Sequence, residues 1–242
     1  MFPLMKIKEV LDLKENIKAL KAAFPHTIPV FTGFIFLGIA YGILMNSKGY
    51  GVGWTALMSL MAFAGSAQYV AINLLTSVFD PIYALLLTLM VNARHLFYGI
   101  SLLDKYKGTG KFKPYLIFGL CDETFSIICS TNPPEGVNRN RFLFFITLLN
   151  HSYWVIGSAL GGVLGYMVSF NTKGLDFVLT ALFVVIFIEQ WKSQEKRKPA
   201  AIGVVCSVIC LAIFGPSHFI IPSMITILAL LTVFQKKVVM EG

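Results

Sequence analysis

Residues 52–79 form a run of 28 positions without one charged side chain. An α-helix needs only about 20 apolar residues to cross the hydrocarbon core of a bilayer. In the whole chain 13% of the residues are charged and 56% are hydrophobic, whereas a soluble domain carries roughly 25% charged residues. We therefore exclude a soluble enzyme with one core, a disordered chain and a disulfide-stapled secreted domain, and we predict an all-α polytopic membrane protein.

Eight apolar runs follow one another along the chain, and their lengths suit membrane-spanning helices. Residues 1–24 repeat apolar side chains at helical spacing with lysines between them, which favours an amphipathic interfacial helix or a soluble helix docked on cytoplasmic loops. We thus predict an interfacial helix at 1–24, one transmembrane domain at 25–236 and a short cytoplasmic tail at 237–242. The eight runs are His26–Met45, Val52–Phe79, Pro81–Leu103, Pro114–Ser130, Phe142–Val168, Leu175–Trp191, Pro199–Phe214 and Ser217–Phe234.

The distribution of lysine and arginine predicts how these runs are oriented, since cytoplasmic loops carry an excess of positive charge. The basic residues that give the chain its net charge of +8 lie in short loops. This distribution argues against nucleic-acid binding. Simple alternation of eight spans from a cytoplasmic N-terminus places 13 of them inside and 6 outside. If the second and fourth runs are broken and return to the side they entered from, 17 of these basic residues lie inside and 2 lie outside. We predict seven or eight segments, one or two of them broken or re-entrant, with both termini cytoplasmic.

A Gly-Ser-x-Gln cluster at 65–68 marks the expected break in the second run, because such residues allow helical hydrogen bonds to open. A similar Gly-Pro-Ser-His cluster, ending at His218, separates the last two runs. The paired clusters favour an inverted-topology repeat with a binding site at the membrane midplane. A half-helix that starts near Gly65 would point free N–H groups at a carboxylate, with Ser66 and Gln68 as side-chain donors.

Ionisable side chains lie at bilayer depth in two neighbouring runs, where each costs on the order of 2.5–3.5 kcal/mol. Asn92, Arg94 and His95 lie near the middle of the third run, and Asp122 and Glu123 lie in the middle of the fourth. One interpretation is an ion pair between the arginine and a carboxylate that only holds the two segments together. The other is a substrate or proton site, because four charged or titratable groups occur where one pair would suffice.

Other polar side chains in the membrane runs have two interpretations. They contribute to function, or they form hydrogen bonds between helices, and Glu189 also fits an interfacial anchor. The four cysteines fit small buried hydrophobes better than a metal half-site. Phosphate-binding, zinc-protease and Ser-His-Asp motifs are absent from the sequence, so we expect neither an enzyme nor a cofactor. These polar side chains are Asn73, Asn150, His151, Glu189 and His218.

Small residues line one side of the fifth run, with glycines at positions 157, 161 and 165. Glycines at this spacing let a second helix approach closely in a membrane. We therefore predict that this side of the fifth segment is a packing face.

Four motifs occur in order along the chain: Phe63-Ala64-Gly65-Ser66-Ala67-Gln68, Asn92-Ala93-Arg94-His95, Asp122-Glu123-Thr124-Phe125, and the segment from Asp176-Phe177 to Gln190-Trp191. Together they resemble the AzlC family of bacterial inner-membrane permease subunits, and the resemblance runs from about Phe24 to about Phe234. It implies a secondary transporter subunit that exports leucine, isoleucine and valine, with methionine as a further candidate. It also implies a small AzlD-type membrane subunit as partner.

The resemblance and the polar residues together predict how a zwitterionic amino acid is held. The break at 65–68 would bind the carboxylate, and Asp122 or Glu123 would face the ammonium or carry the coupling proton. His95 is a further titrating candidate, because uphill export without ATP would use protons. A channel with the charged groups as a selectivity ring, and a non-transporting scaffold, remain as alternatives. The remaining predicted site residues are Phe63, Tyr69, Asn92 and Phe125 around the substrate, and Arg94 and His218 in charge coupling.

Overall fold

The computed structural model describes residues 2–78, 80–92, 94–167 and 194–215, with short stretches between 177 and 192 and between 219 and 231. For residues 2–11 it describes the backbone alone. These residues form α-helices and no β-strand, which confirms the all-α prediction. The helices are α1 (Phe2–Ser47), α2 (Val52–Ala62), α3 (Gly65–Thr76), α4 (Pro81–Asn92), α5 (Arg94–Ser101), α6 (Lys113–Phe118), α7 (Asp122–Ser130), α8 (Arg139–Met167) and α9 (Gln194–Phe214).

Three continuous helices in the described residues are long and apolar enough to cross a membrane: Asp12–Ser47, Arg139–Met167 and Arg197–Phe214. The bent pair α4 and α5 makes a fourth if it is counted as one span. The total of seven or eight segments stays a prediction, because much of the sixth and eighth runs lies outside the described residues. The expected boundary between an interfacial helix at 1–24 and the first span falls inside the single helix α1, so a separate role for 1–24 also stays a prediction.

Short interruptions divide two of the predicted membrane runs. The second run breaks at Phe63 and Ala64, and the fourth breaks at 119–121, so both runs are interrupted as predicted. Their return to the side from which they entered stays a prediction. The third run bends by 45° between α4 and α5. The sequence did not predict this bend, since the chain at 92–95 carries neither glycine nor proline.

Helices α1 and α8 pack along each other with their backbones in close approach. A Cβ atom on Gly42 would collide with the backbone of Ser158, and one on Gly161 would collide with the carbonyl of Ile39. The glycine face at 157–165 is therefore a packing face, as predicted, and its partner is α1. This helix pair forms the frame on which the broken segments are arranged.

A hydrophobic core lies beside this frame and joins α1 and α8 to α6, α7 and the segment after α5. Lys105, from that segment, donates to the carbonyls of Ile128 and Cys129 at 2.5 and 3.1 Å. It thereby satisfies backbone acceptors that the end of α7 leaves open. The buried members of the core include Leu102, Tyr106, Leu116, Leu120, Ile128, Phe142 and Ile146.

Arg141, in the first turn of α8, fastens α8 to an early part of α1. Its guanidinium donates to the Asp12 carboxylate at 2.5 Å and to Oδ1 of Asn16 at 2.6 Å, and the Glu15 carboxylate lies 3.2 Å away. The arginine side chain is only 17% exposed to solvent. We call these four residues the α1–α8 clasp.

The chain divides into two compact units, Met1–Asp176 and Phe177–Gly242. In the second unit, α9 ends at Phe214 and Gly215 follows with a φ of 71°, in the left-handed region that favours glycine. Residues 216–218, which carry most of the second cluster, lie outside the described residues. The inverted repeat therefore stays a prediction.

Candidate functional site

Arg94, in the bent third run, joins the two interrupted runs through its guanidinium group. Nη1 donates to Oδ2 of Asp122 at 2.5 Å, and Nη2 donates to Oγ of Ser66 at 2.5 Å. Ser66 lies in the first turn of α3, Arg94 opens α5 and Asp122 opens α7. The ion pair expected between the third and fourth runs is thus formed with Asp122. Ser66, predicted as a donor to a substrate carboxylate, is a third member, and its contact with Arg94 was not predicted.

The N-termini of α3 and α7 bring the positive ends of two helix dipoles to this centre. Asp122 and Glu123 occupy the first turn of α7, where a helix stabilises negative charge. The first turn of α3 carries no acidic residue, and Ala64 before it supplies no side-chain cap. The centre therefore combines one arginine, two carboxylates and two dipole ends.

Three polar atoms in and next to the centre are buried and have no hydrogen-bond partner among the described residues: Nε of Arg94 and Oδ1 of Asp122 in the centre, and Oδ1 of Asn92, two residues before Arg94. Two of them are acceptors and one is a donor. A buried polar atom without a partner costs about 1–3 kcal/mol. This set is complementary to a ligand that carries both N–H donors and an oxygen acceptor.

A cavity of about 490 Å³ lies beside the centre, between α4, α5 and α6. Asn92 and His95 contribute to its lining, and Nδ1 of His95 lies 3.1 Å from the carbonyl of Asn92. Because a carbonyl only accepts, this ring nitrogen carries the proton. The walls are otherwise mainly aliphatic and include Leu89, Leu96, Ile100, Leu103, Ile117 and Leu120.

Gln68 is fully buried, and its amide group is hydrogen-bonded within the protein. Its nitrogen donates to Ser59 at 3.1 Å, and its oxygen accepts from the indole of Trp154 at 2.8 Å and from the backbone of Ala64 at 3.3 Å. The indole ring also lies 3.2 Å from the place where a Cβ on Gly65 would stand. The sequence did not assign Trp154 this contact, although a buried indole N–H requires an acceptor.

The aromatic side chains predicted around the substrate fall into two groups. Tyr69 is buried and donates to the carbonyl of Leu37 at 2.7 Å, and Phe63 is buried with a left-handed φ of 37°. Both pack within the protein. Phe125 is half-buried on α7, one turn after the ion pair, and stacks on Tyr98 with ring centroids 4.4 Å apart.

Two consecutive polar residues of α8 contact the helices on either side of the break in the fourth run. Nδ1 of His151 lies 3.0 Å from the hydroxyl of Tyr115 on α6, and the ring lies 4.6 Å from that of Phe63. Asn150 donates to Thr124 on α7 at 3.1 Å. Both side chains therefore form the helix–helix hydrogen bonds that the sequence offered as their structural interpretation.

Four predicted residues remain: Glu123, Asn73, Glu189 and His218. Glu123 is half-buried beside Asp122 and forms no salt bridge with the described residues. Asn73 is exposed on α3. Glu189 and His218 lie outside the described residues.

Comparisons with known proteins identify the family of this chain. Residues 29–168, which contain the whole Arg94 centre, match the family model described as AzlC protein. The chain is 59% identical to the branched-chain amino acid transport protein AzlC of Bacillus subtilis, over 90% of this chain and 86% of that protein. It is 43% identical to an uncharacterized membrane protein of Haemophilus influenzae, over 89% and 88% of the two chains. It is 41% identical to one of Helicobacter pylori, over 93% and 99%.

No solved structure matches the chain. The family model covers more than half of the sequence, and these relatives align with most of their own length. The chain therefore belongs to the AzlC family.

Proposed function

We propose that this chain is the large subunit of a secondary transporter that exports branched-chain amino acids across the bacterial inner membrane in exchange for protons. The observation that carries the proposal is the Arg94 centre, where two interrupted segments and a bent one meet and leave two acceptors and one donor unpartnered. Interrupted helices of this kind hold substrate and coupling ions at the midplane of secondary transporters. The name of the Bacillus subtilis relative supports an amino-acid substrate. A small AzlD-type partner and cytoplasmic termini belong to the same proposal.

The unpartnered atoms indicate where the two charged groups of a zwitterionic amino acid would bind. The ammonium would donate to Oδ1 of Asn92 and Oδ1 of Asp122, and the carboxylate would accept from Nε of Arg94. The dipole ends of α3 and α7 would add to the attraction for the carboxylate. The sequence suggested Gln68 as a carboxylate donor, but its amide is engaged by Trp154 and α2, so we assign it the role of holding the break in shape. A scaffold accounts for the ion pair but not for the three unpartnered atoms.

Glu123 is our choice for the group that carries the coupling proton. Asp122 is already paired with Arg94, whereas Glu123 has no salt bridge among the described residues. The groups that face it are Asp122, Arg94 and the thiol of Cys121. Protonation of Glu123 would change the charge of the centre without breaking the ion pair.

The direct test of the proposed function is thermal stabilisation of the purified protein, with and without its small partner, by each of the twenty amino acids. We expect leucine, isoleucine, valine or methionine to raise the melting temperature, because a ligand that binds only the folded state stabilises it. Aspartate and lysine should have no effect. A folded complex that no amino acid stabilises would contradict the proposal and favour a channel or a scaffold.

Replacing Glu123 by glutamine should separate substrate binding from proton coupling. We expect the variant to bind leucine normally and to exchange it across proteoliposome membranes, since the Arg94 centre is intact. Transport driven by a pH gradient should fall to the level of liposomes without protein.

The matched control is Glu135→Gln, which makes the same change at an exposed carboxylate between α7 and α8. This control should transport at the normal rate. If Glu123→Gln also keeps the normal gradient-driven rate, Glu123 does not carry the proton.

A further inference from the structure

We infer that the cavity between α4, α5 and α6 is the subsite for the aliphatic side chain of an α-amino acid, and that Gly99 sets the length of side chain it accepts. The inference rests on the proposed function, which leaves the position of the side chain open. It assigns the cavity a ligand class and gives it one residue that determines specificity.

The position of the cavity follows from a residue that it shares with the polar centre. Asn92 lines the cavity, and its Oδ1 is one of the unpartnered acceptors. An ammonium bonded to this oxygen would place the adjoining Cα atom at the boundary between the centre and the cavity. The side chain on that Cα would then extend into the cavity.

The chemistry of the lining favours an aliphatic group. The cavity volume of about 490 Å³ lies within the range of roughly 300–1,000 Å³ that small-molecule sites occupy. Its other polar contributors are a histidine whose Nδ1 faces the Asn92 carbonyl, Tyr106, whose hydroxyl donates to the carbonyl of Leu116 at 3.4 Å, and the exposed Lys113. Leucine and isoleucine side chains dominate the remaining walls.

Gly99 is the residue of this lining that has no side chain. It belongs to α5, and a Cβ atom built on it meets no other atom within 4 Å. A side chain at this position therefore starts in open space at the cavity lining, and we expect a larger one to occupy part of the cavity. Such a change reduces the room for a ligand and leaves the Arg94 centre unchanged.

The experiment uses Gly99→Leu in the complete protein with its partner, and measures how alanine, valine, leucine and isoleucine compete for exchange in proteoliposomes. We expect the affinity for leucine and isoleucine to fall about tenfold or more, the effect of one or more methylene groups in a pocket. The affinity for alanine should stay the same. Gly53→Leu is the matched control, since a Cβ on Gly53 also meets nothing within 4 Å and Gly53 does not line the cavity.

The opposite change is Leu103→Ala, which enlarges the cavity at an exposed wall residue. In this variant phenylalanine should compete better relative to leucine. If Gly99→Leu does not fold, Leu103→Ala is the variant that tests the subsite. An unchanged preference in the folded variants would overturn the subsite and favour a lipid acyl chain as the occupant. An equal loss for alanine and leucine would also overturn it. A wild-type protein that exchanges no amino acid would instead overturn the proposed function itself.

Discussion

Replacing Gly161 by alanine should lower the free energy of unfolding by about 3 kcal/mol or more, at the upper end of what overpacking costs. The added methyl group would collide with the carbonyl of Ile39, which belongs to the backbone of α1 and cannot rotate away. The two helices would have to separate along their shared face. In a thermal unfolding experiment the melting temperature should fall by about 10 °C, at 2–4 °C per kcal/mol for a chain of this length.

The matched control is Gly33→Ala, in α1 itself, because a Cβ on Gly33 meets nothing within 4 Å. Alanine is a better helix former than glycine by about 1 kcal/mol, so this variant should melt at the wild-type temperature or above it. Wild-type stability of Gly161→Ala would show that the backbones of α1 and α8 are not in close contact.

Replacing Arg94 by glutamine should abolish transport and lower the free energy of unfolding by about 3 kcal/mol. Removing one partner of a buried ion pair costs about 3–5 kcal/mol, because the other charge is left uncompensated. The side chains of Arg94 and Asp122 are 30% and 28% exposed to solvent. Because the pair is only partly buried, we expect the low end of that range. Thermal unfolding and exchange of radiolabelled leucine in proteoliposomes measure the two effects.

The double variant Arg94→Gln/Asp122→Asn separates a transport role from a purely structural one. It removes both charges of the ion pair, so most of the stability lost in Arg94→Gln should return. Transport should stay absent, because the ammonium and the carboxylate of the substrate have both lost a charged partner. A stable double variant that transports leucine would mean that the ion pair only holds the segments together.

The break in the second run could be predicted because glycine acts locally. Gly65 adjoins the interruption of the second run and is visible in the sequence. The break in the fourth run was predicted instead from the distribution of lysine and arginine between the loops. The bend between α4 and α5 has no such local cause. It lies beside Arg94, whose contacts with Ser66 and Asp122 are 28 residues away along the chain in either direction. Bends of this kind depend on tertiary contacts that the sequence does not display.

Charge patterns predicted the members of the centre better than they predicted its hydrogen bonds. An arginine and a carboxylate in neighbouring apolar runs have few other ways to be neutralised, so their pairing could be expected. The amide of Gln68 has many possible partners, and the indole that binds it lies 86 residues further along the chain. The cavity beside Asn92 was not visible either, because its walls come from helices that the breaks bring together and a single glycine at position 99 carries no pattern.

The length of α1 has a consequence for following conformational change. Residues Asp12–Ser47 form 36 residues of helix, which extend about 54 Å, whereas the hydrocarbon core of a bilayer is about 30 Å thick. An untilted α1 therefore projects from the bilayer by several turns, and the α1–α8 clasp fastens the projecting part to Arg141. Because the clasp holds this end of α1 to α8, a fluorophore attached there would report movements of the α1–α8 pair from outside the hydrocarbon core.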